Sequence, residues 1–274
     1  MRVHIFGSRG SRPSPGAEYT RYGGHTSCIA LGHGEADAPL ILDAGTGITQ
    51  VPKLIGAGPY RGAIVVGHLH WDHTHGVPFF SCSDHPDSDV EFWMPAQGDP
   101  LEVLTRSMSP PHFPIAPTDL RGTWRFGALE EGTRQIQGFE VLALEIPHKG
   151  GRTFGYRVSD GESSLAYLSD HSPIVFGEGP DGFGEYHDAA MRLAAGVDLL
   201  IHDAQYTAGE FARRRNWGHS TIDYAVGLGE RADAGRVLLF HHDPFHNDAF
   251  LDAQARELDG SRVEFAREGV TFDL

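Results

Sequence analysis

The sequence predicts an α/β sandwich, in which helices cover β-sheets, formed as a single domain over residues 1–274. Short apolar runs alternate along the chain with segments of helical pattern, which is typical of this fold class. Successive apolar runs in the middle of the chain indicate hairpins. The 35 glycines and 17 prolines exceed the usual combined share of about 12%, which indicates many tight turns and argues against a helix bundle.

In the first half of the chain, apolar runs separated by turn residues predict five strands and two helices. Residues 63–66 are β-branched and apolar, which is typical of a buried strand. Ser109-Pro110-Pro111 ends the second helix because proline lacks an N–H group and its ring clashes with the preceding turn. The predicted strands are 2–6, 28–31, 40–42, 63–66 and 91–94, and the predicted helices are 48–55 and 100–108.

In the second half, three strands follow one another before helices and strands alternate. This order is what two related halves of a sandwich would require. The predicted strands are 139–146, 153–158, 164–169, 198–201 and 237–240, and the predicted helices are 186–195, 222–231 and 250–258.

Composition excludes several classes of protein. The 22 Lys and Arg against 37 Asp and Glu give a net charge of −15, which opposes an extended phosphate-binding surface and makes a nucleic acid partner less favoured. No apolar run approaches the roughly 18 residues of a membrane span, so no membrane association is expected. The opening MRVHIFGSRG does not read as a signal peptide, and two cysteines, Cys28 and Cys82, cannot form a disulfide framework. A cytoplasmic location is therefore expected.

The densest chemical signal is the string His68-Leu69-His70-Trp71-Asp72-His73, directly after the strand predicted at 63–66. Imidazole is the commonest metal ligand in proteins, and the chain has 17 histidines. A loop at a strand end can fold so that all four polar side chains converge, whereas a helix would spread close neighbours over different faces. Neutral imidazoles and a carboxylate suit zinc, manganese or iron.

One loop cannot fill two coordination shells, so further ligands are expected at other strand ends. The strand at 139–146 leads to His148, that at 164–169 to Asp170, and that at 237–240 to His241. Ligands at the same ends of several strands would be held by rigid elements. The residues alone leave two choices open, between His241 and His242 and between Asp170 and His171.

These motifs together resemble a known family. The string His68–His73 resembles the HxHxDH signature of the metallo-β-lactamase superfamily, and Leu42-Asp43-Ala44-Gly45 is similar to its first motif. His202-Asp203-Ala204 and Gly218-His219-Ser220-Thr221 are similar to the branch that contains ribonuclease Z and small-molecule cyclic phosphodiesterases. The opening FGSRGS and His241-His242-Asp243-Pro244 resemble a phosphoribosyl-cyclic-phosphodiesterase-like group within that branch.

The resemblance implies a four-layer αβ/βα fold with two divalent metal ions, zinc before manganese or iron, at the edge of two sheets. It assigns the metal ligands His68, His70 and His148 to one ion, Asp72, His73 and His241 to the other, and Asp170 as a bridge between them. A hydroxide shared by the metals is the implied nucleophile, because a metal lowers the pKa of bound water to about 7.

Three further residues receive roles from the resemblance. His219 is expected to touch the phosphate or to protonate the leaving oxygen, and Asp203 to orient it, so that both are predicted catalytic residues together with Asp72. The alternative for His219 is capping of the helix that follows it. Asp43 is expected to orient a ligand imidazole through its second ring nitrogen, with a turn aspartate as the alternative.

The leading hypothesis is a dinuclear metal phosphodiesterase that acts on a small substrate, a cyclic nucleotide or a cyclic sugar phosphate, and forms a homodimer. A tRNA 3′-processing endonuclease is the second hypothesis, opposed by the charge of −15. A hydrolase of another ester and a non-catalytic metal-stabilised binding protein are the remaining alternatives.

Several residues near these motifs have weaker interpretations. Trp71 is expected to pack beneath the metal loop, with stacking on a base as the alternative. The run Arg213-Arg214-Arg215 is expected on a solvated helix face, with a phosphate contact as the alternative. Arg9 and Arg12 are alternative substrate contacts. The phenylalanines that follow the signature are expected in the core, with a dimer surface as the alternative; they are Phe79, Phe80, Phe113 and Phe126.

Overall fold

The computed structural model describes residues 1–258 and 262–274 and contains two seven-stranded sheets. The strand order of the first sheet is β14-β1-β2-β3-β4-β5-β6, and that of the second is β13-β12-β11-β10-β9-β8-β7. The first sheet consists of β1 (Arg2–Gly7), β2 (Cys28–Gly32), β3 (Leu40–Leu42), β4 (Arg61–Val65), β5 (Asp89–Pro95), β6 (Thr123–Leu129) and β14 (Thr271–Asp273). The second consists of β7 (Gly132–Ile136), β8 (Phe139–Glu145), β9 (Phe154–Ser159), β10 (Ser164–Leu168), β11 (Leu199–Asp203), β12 (Arg236–Phe240) and β13 (Val263–Phe265).

Helices cover the outer faces of both sheets. The α-helices are α1 (Pro52–Ile55), α2 (Trp71–Thr74), α3 (Pro100–Thr105), α4 (Asp188–Ala194), α5 (Ala208–Arg214), α6 (Ile222–Arg231) and α7 (Asp248–Ala255). Shorter 3₁₀ segments lie at Ala17–Tyr19, Thr46–Gln50, Val77–Phe79, Pro117–Asp119 and Pro173–Phe176. Among the described residues, no helix is long and apolar enough to cross a membrane.

Three apolar cores correspond to the layers of the predicted α/β sandwich. The central core packs one sheet against the other, with Val65 and Phe139 among its fully buried members. A second core lies beneath α4 and α6, and a third beneath α1 and α3. Removing the apolar surface of these faces from water stabilises the folded state by roughly 25 cal/mol for each Å² buried. The predicted fold class is confirmed.

The sheet topology brings several strand ends to one edge. The strands β3, β4, β5 and β6 are parallel neighbours, as are β10, β11, β12 and β13. The strand β8 runs in the direction of β10 because both are antiparallel to β9. The loops that follow β4, β8, β10 and β12 therefore emerge on the carboxyl edges of their sheets, where sites of open α/β sheets form.

Six of the labelled strands and α-helices lie outside the sequence predictions: α2, β6, β7, α5, β13 and β14. The strand β7 is a sheet edge whose first four residues are exposed, so it lacks an apolar pattern. The helix α5 begins with a capping box, in which the Glu210 carboxylate accepts hydrogen bonds from the backbone N–H and the hydroxyl of Thr207. The spacing of Thr207 and Glu210 is a sequence signal that could have identified this helix.

Candidate metal centre

The seven residues predicted as metal ligands lie together at this edge. His68 and His70 follow β4, and His148, Asp170 and His241 follow β8, β10 and β12. Contrary to the sequence expectation of a loop, the second half of the signature forms one helical turn, α2, which contains Asp72 and His73. The turn directs Trp71 outward and the two residues after it inward. The side chains of Asp72 and His73 therefore reach the other ligands from a helical turn, although a helix was expected to keep them apart.

The ligand atoms form two main groups that meet at Asp170. His68, His70, His148 and Asp170 each offer an atom within 4.8 Å of the others, and so do Asp72, His73 and His241. The Oδ1 atom of Asp170 lies 3.0 Å from His73 Nε2 and 3.1 Å from His241 Nε2. Its Oδ2 atom lies 3.4 Å from His148 Nε2 and 3.7 Å from His68 Nε2. One carboxylate thus presents one oxygen to each group.

The structure separates the residue pairs that the sequence left open. His242 donates from Nε2 to the backbone oxygen of Ala266 at 2.8 Å, away from both groups, whereas His241 lies between Asp72 and Asp170. His171 contacts other histidines and not the ligand groups.

Hydrogen bonds fix the ring orientation of at least two of these histidines. His73 donates from Nδ1 to Asp43 Oδ2 at 2.7 Å, which leaves its Nε2 facing the site. Asp43 is itself held by the hydroxyl of Tyr167 and the backbone N–H of Gly67. His148 donates from Nδ1 to the Gly218 carbonyl at 2.7 Å. Such partners set the tautomer and aim the free nitrogen, so the contact expected for Asp43 is present.

The first group has the protonation state that metal ligation requires. Burial lowers the pKa of His68 well below its ordinary value and that of His148 to about 4, so both imidazoles are neutral at pH 7. A neutral imidazole offers a lone pair to a metal ion.

Three carboxylates, those of Asp43, Asp72 and Asp170, lie beside the imidazoles of the second group. Burial lowers the pKa of His73, but Asp43 and the other nearby carboxylates raise it well above its ordinary value. Burial also lowers the pKa of His241, but the carboxylate of Asp170 has the opposite effect, and the pKa of His241 is raised to about 9. Burial raises the pKa of Asp170, but the imidazoles of His241 and His73 hold it well below its usual range. The clustered carboxylates therefore require compensating cations, which protons or divalent ions can supply.

The chemistry of the donor atoms fits bound divalent ions. His68 Nε2, His73 Nε2 and Asp170 Oδ1 are buried and have no hydrogen-bond partner among the described residues. Leaving such atoms unpaired costs about 1–3 kcal/mol each, and more for charged groups. Coordination would satisfy all three, and a nitrogen and carboxylate donor set without thiolate suits zinc, manganese or iron.

A second constellation adjoins the ligand groups. His219 donates from Nδ1 to Asp203 Oδ2 at 3.0 Å, and His219 lines the same cavity as His70, Asp72 and Asp170. His219 does not cap the following helix, because Thr221 is the N-cap residue of α6. Its ring also lies close enough to Asp170 and His241 to offer an atom to a third, overlapping group.

A chain of histidines supports Asp203 and was missed by sequence reasoning. His202 donates from Nδ1 to its neighbour's carbonyl, so its Nε2 accepts from His171 Nδ1 at 2.9 Å. His171 Nε2 then accepts from His187 Nε2 at 2.7 Å. Burial lowers the pKa of all three rings, to about 4 for His187 and His202. The backbone N–H of His171 donates to Asp203 Oδ2, so the chain fixes the segment that holds this carboxylate.

The open space above the ligands is a cavity of about 360 Å³. It is lined by Ser11, Leu69, His70, Trp71, Asp72, Asp170 and His219. The backbone N–H of Ser11 donates to Asp72 Oδ2 at 2.6 Å, which joins the first loop of the chain to the site. Trp71 is 66% exposed and lies at the mouth of this cavity, so the prediction that it packs beneath the metal loop is wrong.

Two arginines have structural roles. Arg9 is fully buried and donates to the backbone oxygens of Gly23 and His246, so it is a support for loops and not a substrate contact. Arg214, expected on a solvated face, forms an ion pair with Asp243 at 2.5 Å.

Cys28 and Cys82 are buried and form no disulfide.

A family model described as a beta-lactamase superfamily domain matches residues 40–242. The chain belongs to the metallo-β-lactamase superfamily, a family of metal-dependent hydrolases. The resemblance predicted from the motifs is confirmed.

Three similar proteins match essentially the whole chain. It is 22% identical to the ribonuclease Z of Natronomonas pharaonis, over 100% of this chain and 98% of that protein. Its fold resembles a solved diphosphatase of the PhnP family, with a TM-score of 0.73 and 18% identity over 100% of this chain and 97% of the other. It also resembles the short form of human tRNase Z, with a TM-score of 0.68 and 22% identity over 100% and 99% of the two chains.

Proposed function

We propose that the protein is a dinuclear metal-dependent phosphodiesterase that hydrolyses a small phosphodiester, with a cyclic nucleotide or a cyclic sugar phosphate as the candidate substrates. The observation that carries the proposal is the His219–Asp203 pair, which faces the same cavity as the two ligand groups joined by Asp170. The similar proteins support it, because their names refer to cleavage of RNA or of a diphosphate.

In this proposal His68, His70 and His148 would hold one ion, Asp72, His73 and His241 would hold the other, and Asp170 would serve both. Divalent ions, proposed as zinc, would lower the pKa of bound water to about 7 and neutralise charge on the phosphoryl oxygens. The residues of the chain admit the substrate and supply the proton. Its cavity is open, so a substrate phosphate can reach the ligand groups beside His219.

His219 is proposed to donate a proton to the leaving oxygen. Because Nδ1 donates to Asp203, the ring is fixed and its other nitrogen is available to the substrate. The carboxylate of Asp203 also accepts from the backbone N–H groups of Ser220 and His171. Asp203 therefore orients the ring and stabilises its protonated form.

The test replaces His219 by alanine and compares two leaving groups. His219→Ala should retain both metals, as measured by elemental analysis, yet lose about 10²–10⁴ in kcat when the leaving group is a ribose oxygen. The loss should shrink for p-nitrophenolate, which departs with little help from a proton. Asp203→Asn should show a milder form of the same dependence. His85→Ala is the matched control, because His85 precedes β5 at the opposite edge of the sheet.

Two results would contradict parts of this proposal. An equal loss on both leaving groups would mean that His219 binds the phosphate without donating a proton. No loss on any phosphodiester would reject phosphodiesterase chemistry. Precursor tRNA is tested beside the small substrates. Its cleavage without turnover of small substrates would favour the ribonuclease alternative, which the similarity to ribonuclease Z suggests. The net charge of −15 argues for the small substrate.

We also propose a homodimer formed around this edge. In the described part of the chain, the exposed large apolar side chains all follow strands that end at the site. Trp71 lines the cavity, and the others, which are left for a partner chain, are Phe79, Val175, Phe176, Trp217 and Phe245. Phe80 is buried as expected, whereas Phe79 is exposed and packs edge-on against Phe113. Light scattering should give twice the 29.9 kDa of one chain, and Phe79→Asp should shift the mass toward one chain. A mass of 29.9 kDa for the unmodified protein would reject the dimer.

A further inference from the structure

Trp71 has an unusual position for an exposed indole. It stands between two proposed ligands, His70 and Asp72, and begins the helical turn α2. Its side chain lines the cavity above the ligand groups and is 66% exposed. Tryptophan is a large apolar residue that is highly buried on average. An exposed indole among mostly polar lining residues thus offers apolar surface to a molecule that enters the cavity.

The indole is held in one orientation from behind. Its ring stacks on that of His75, with centroids 5.1 Å apart and an angle of 20° between the planes. His75 also donates its backbone N–H to the Trp71 carbonyl at 2.8 Å, so the two side chains are fixed to the same helical turn. One face of the indole is therefore covered, and the exposure of the ring must come from its other face and its edges.

We propose that Trp71 is a stacking platform for the base of a nucleotide substrate. The inference rests on the proposed phosphodiesterase function and narrows its substrate class to nucleotides, excluding sugar phosphates that lack a base. A phosphate at the ligand groups is joined through its sugar to a base, and the nearest exposed aromatic surface that lines the cavity is this indole. Stacking of a base on an aromatic side chain contributes about 1–3 kcal/mol and tolerates any base.

The test uses the metal-loaded protein with two substrates that differ only in the base. Trp71→Ala should lower kcat/KM for a cyclic nucleotide by about 5- to 100-fold, chiefly through KM, because the platform binds substrate without taking part in bond cleavage. For a cyclic ribose phosphate without a base, the same variant should change kcat/KM less than about twofold. Trp71→Phe should restore most of the loss. Phe245→Ala is the control, since Phe245 is an exposed aromatic residue that does not line this cavity.

Failure of this inference can be separated from failure of the proposed function. An equal loss on both substrates, or no loss on either, would overturn the platform while leaving the phosphodiesterase in place. If the wild-type protein hydrolyses no phosphodiester, the proposed function fails, and binding of adenosine monophosphate is measured instead by isothermal titration calorimetry, which does not depend on the indole that the variants remove. Weaker binding by Trp71→Ala and recovery in Trp71→Phe would then support the platform, whereas equal binding by all three proteins would overturn it.

Discussion

At the residue scale, Asp170 is the side chain on which the proposed centre most depends. Its two oxygens face different ligand groups, and the surrounding imidazoles hold its pKa well below its usual range. His70, by contrast, belongs to one group only. Removing Asp170 therefore alters the environment of both proposed ions, whereas removing His70 alters one.

We expect Asp170→Ala to lower the content of both metals and to reduce activity more than His70→Ala does, by on the order of tenfold. His70→Ala should release one metal preferentially. Elemental analysis after gel filtration and phosphodiester hydrolysis on the same samples measure both effects. If the Asp170 variant kept two tightly bound ions, the bridging role would be wrong.

Backbone conformation explains why the residue types alone left the choice between His241 and His242 open. Asp43 and His241 have positive φ angles of 62° and 59°, in the left-handed region that disfavours most L-residues. Each follows a strand directly, and the turn redirects its side chain into the site. Nothing in the residue types separates His241 from His242, and only this backbone geometry sends one inward and the other toward Ala266.

At the element scale, the loop that follows β1 is shaped by a glycine beside a proposed ligand. A Cβ atom added to Gly10 would lie 2.4 Å from His241 Nδ1 and 2.5 Å from Gln205 Nε2. The Gly10 N–H donates to the His242 carbonyl at 3.0 Å, so the loop is tied to the backbone next to His241. Neither the loop nor the ligand segment has free space to move.

Gly10→Ala should displace His241 and weaken metal binding at the Asp72, His73 and His241 group by about 10- to 100-fold, the usual range for disturbing a ligand's support. Binding at the other group should change less. Competition with a chelator of known affinity resolves the two sites. The control is Gly58→Ala, because a Cβ atom there meets nothing within 4 Å. Identical chelator curves for wild type and Gly10→Ala would contradict the expectation.

The sequence predicted the elements that have a regular spacing of apolar residues and clear residue signals at their ends. The helix α6 was placed at its exact bounds, Ile222–Arg231, since Thr221 caps it. The strand β7 was missed because an exposed edge strand has no buried face to enforce alternation. The proposed metal ligands were expected from one dense string, from the ends of three further strands and from the family resemblance. The histidine chain from His187 to His202 depends instead on contacts between distant segments that no spacing encodes.

At the scale of the whole molecule, one carboxylate connects the end of the chain to its beginning. Glu268 lies between β13 and β14 and accepts a hydrogen bond from the backbone N–H of His25 at 2.5 Å. Burial raises the pKa of Glu268 to about 7, although the His25 N–H and the nearby Arg9 charge act in the opposite direction. The residue lies outside the proposed metal centre, so its titration reports on folding and not on metal ligation.

This shift predicts a dependence of stability on pH. The folded protein retains the Glu268 proton up to about pH 7, whereas the unfolded chain loses it near the ordinary value of 4.5. The stabilisation is therefore present at low pH and is lost as the pH rises from about 4.5 through 7, by about 3 kcal/mol in total. Glu268→Gln cannot lose this proton, so its stability relative to wild type should increase by that amount between pH 4.5 and pH 8.

Urea unfolding of both proteins across this range measures the difference, and other titrating groups cancel because both proteins contain them. Glu264→Gln, at an exposed position of β13, is the control and should follow the wild-type pH dependence. A constant difference between Glu268→Gln and wild type at every pH would mean that Glu268 ionises alike in the folded and unfolded states. The loop contact with His25 would then be an ordinary surface hydrogen bond, and burial would not govern its protonation.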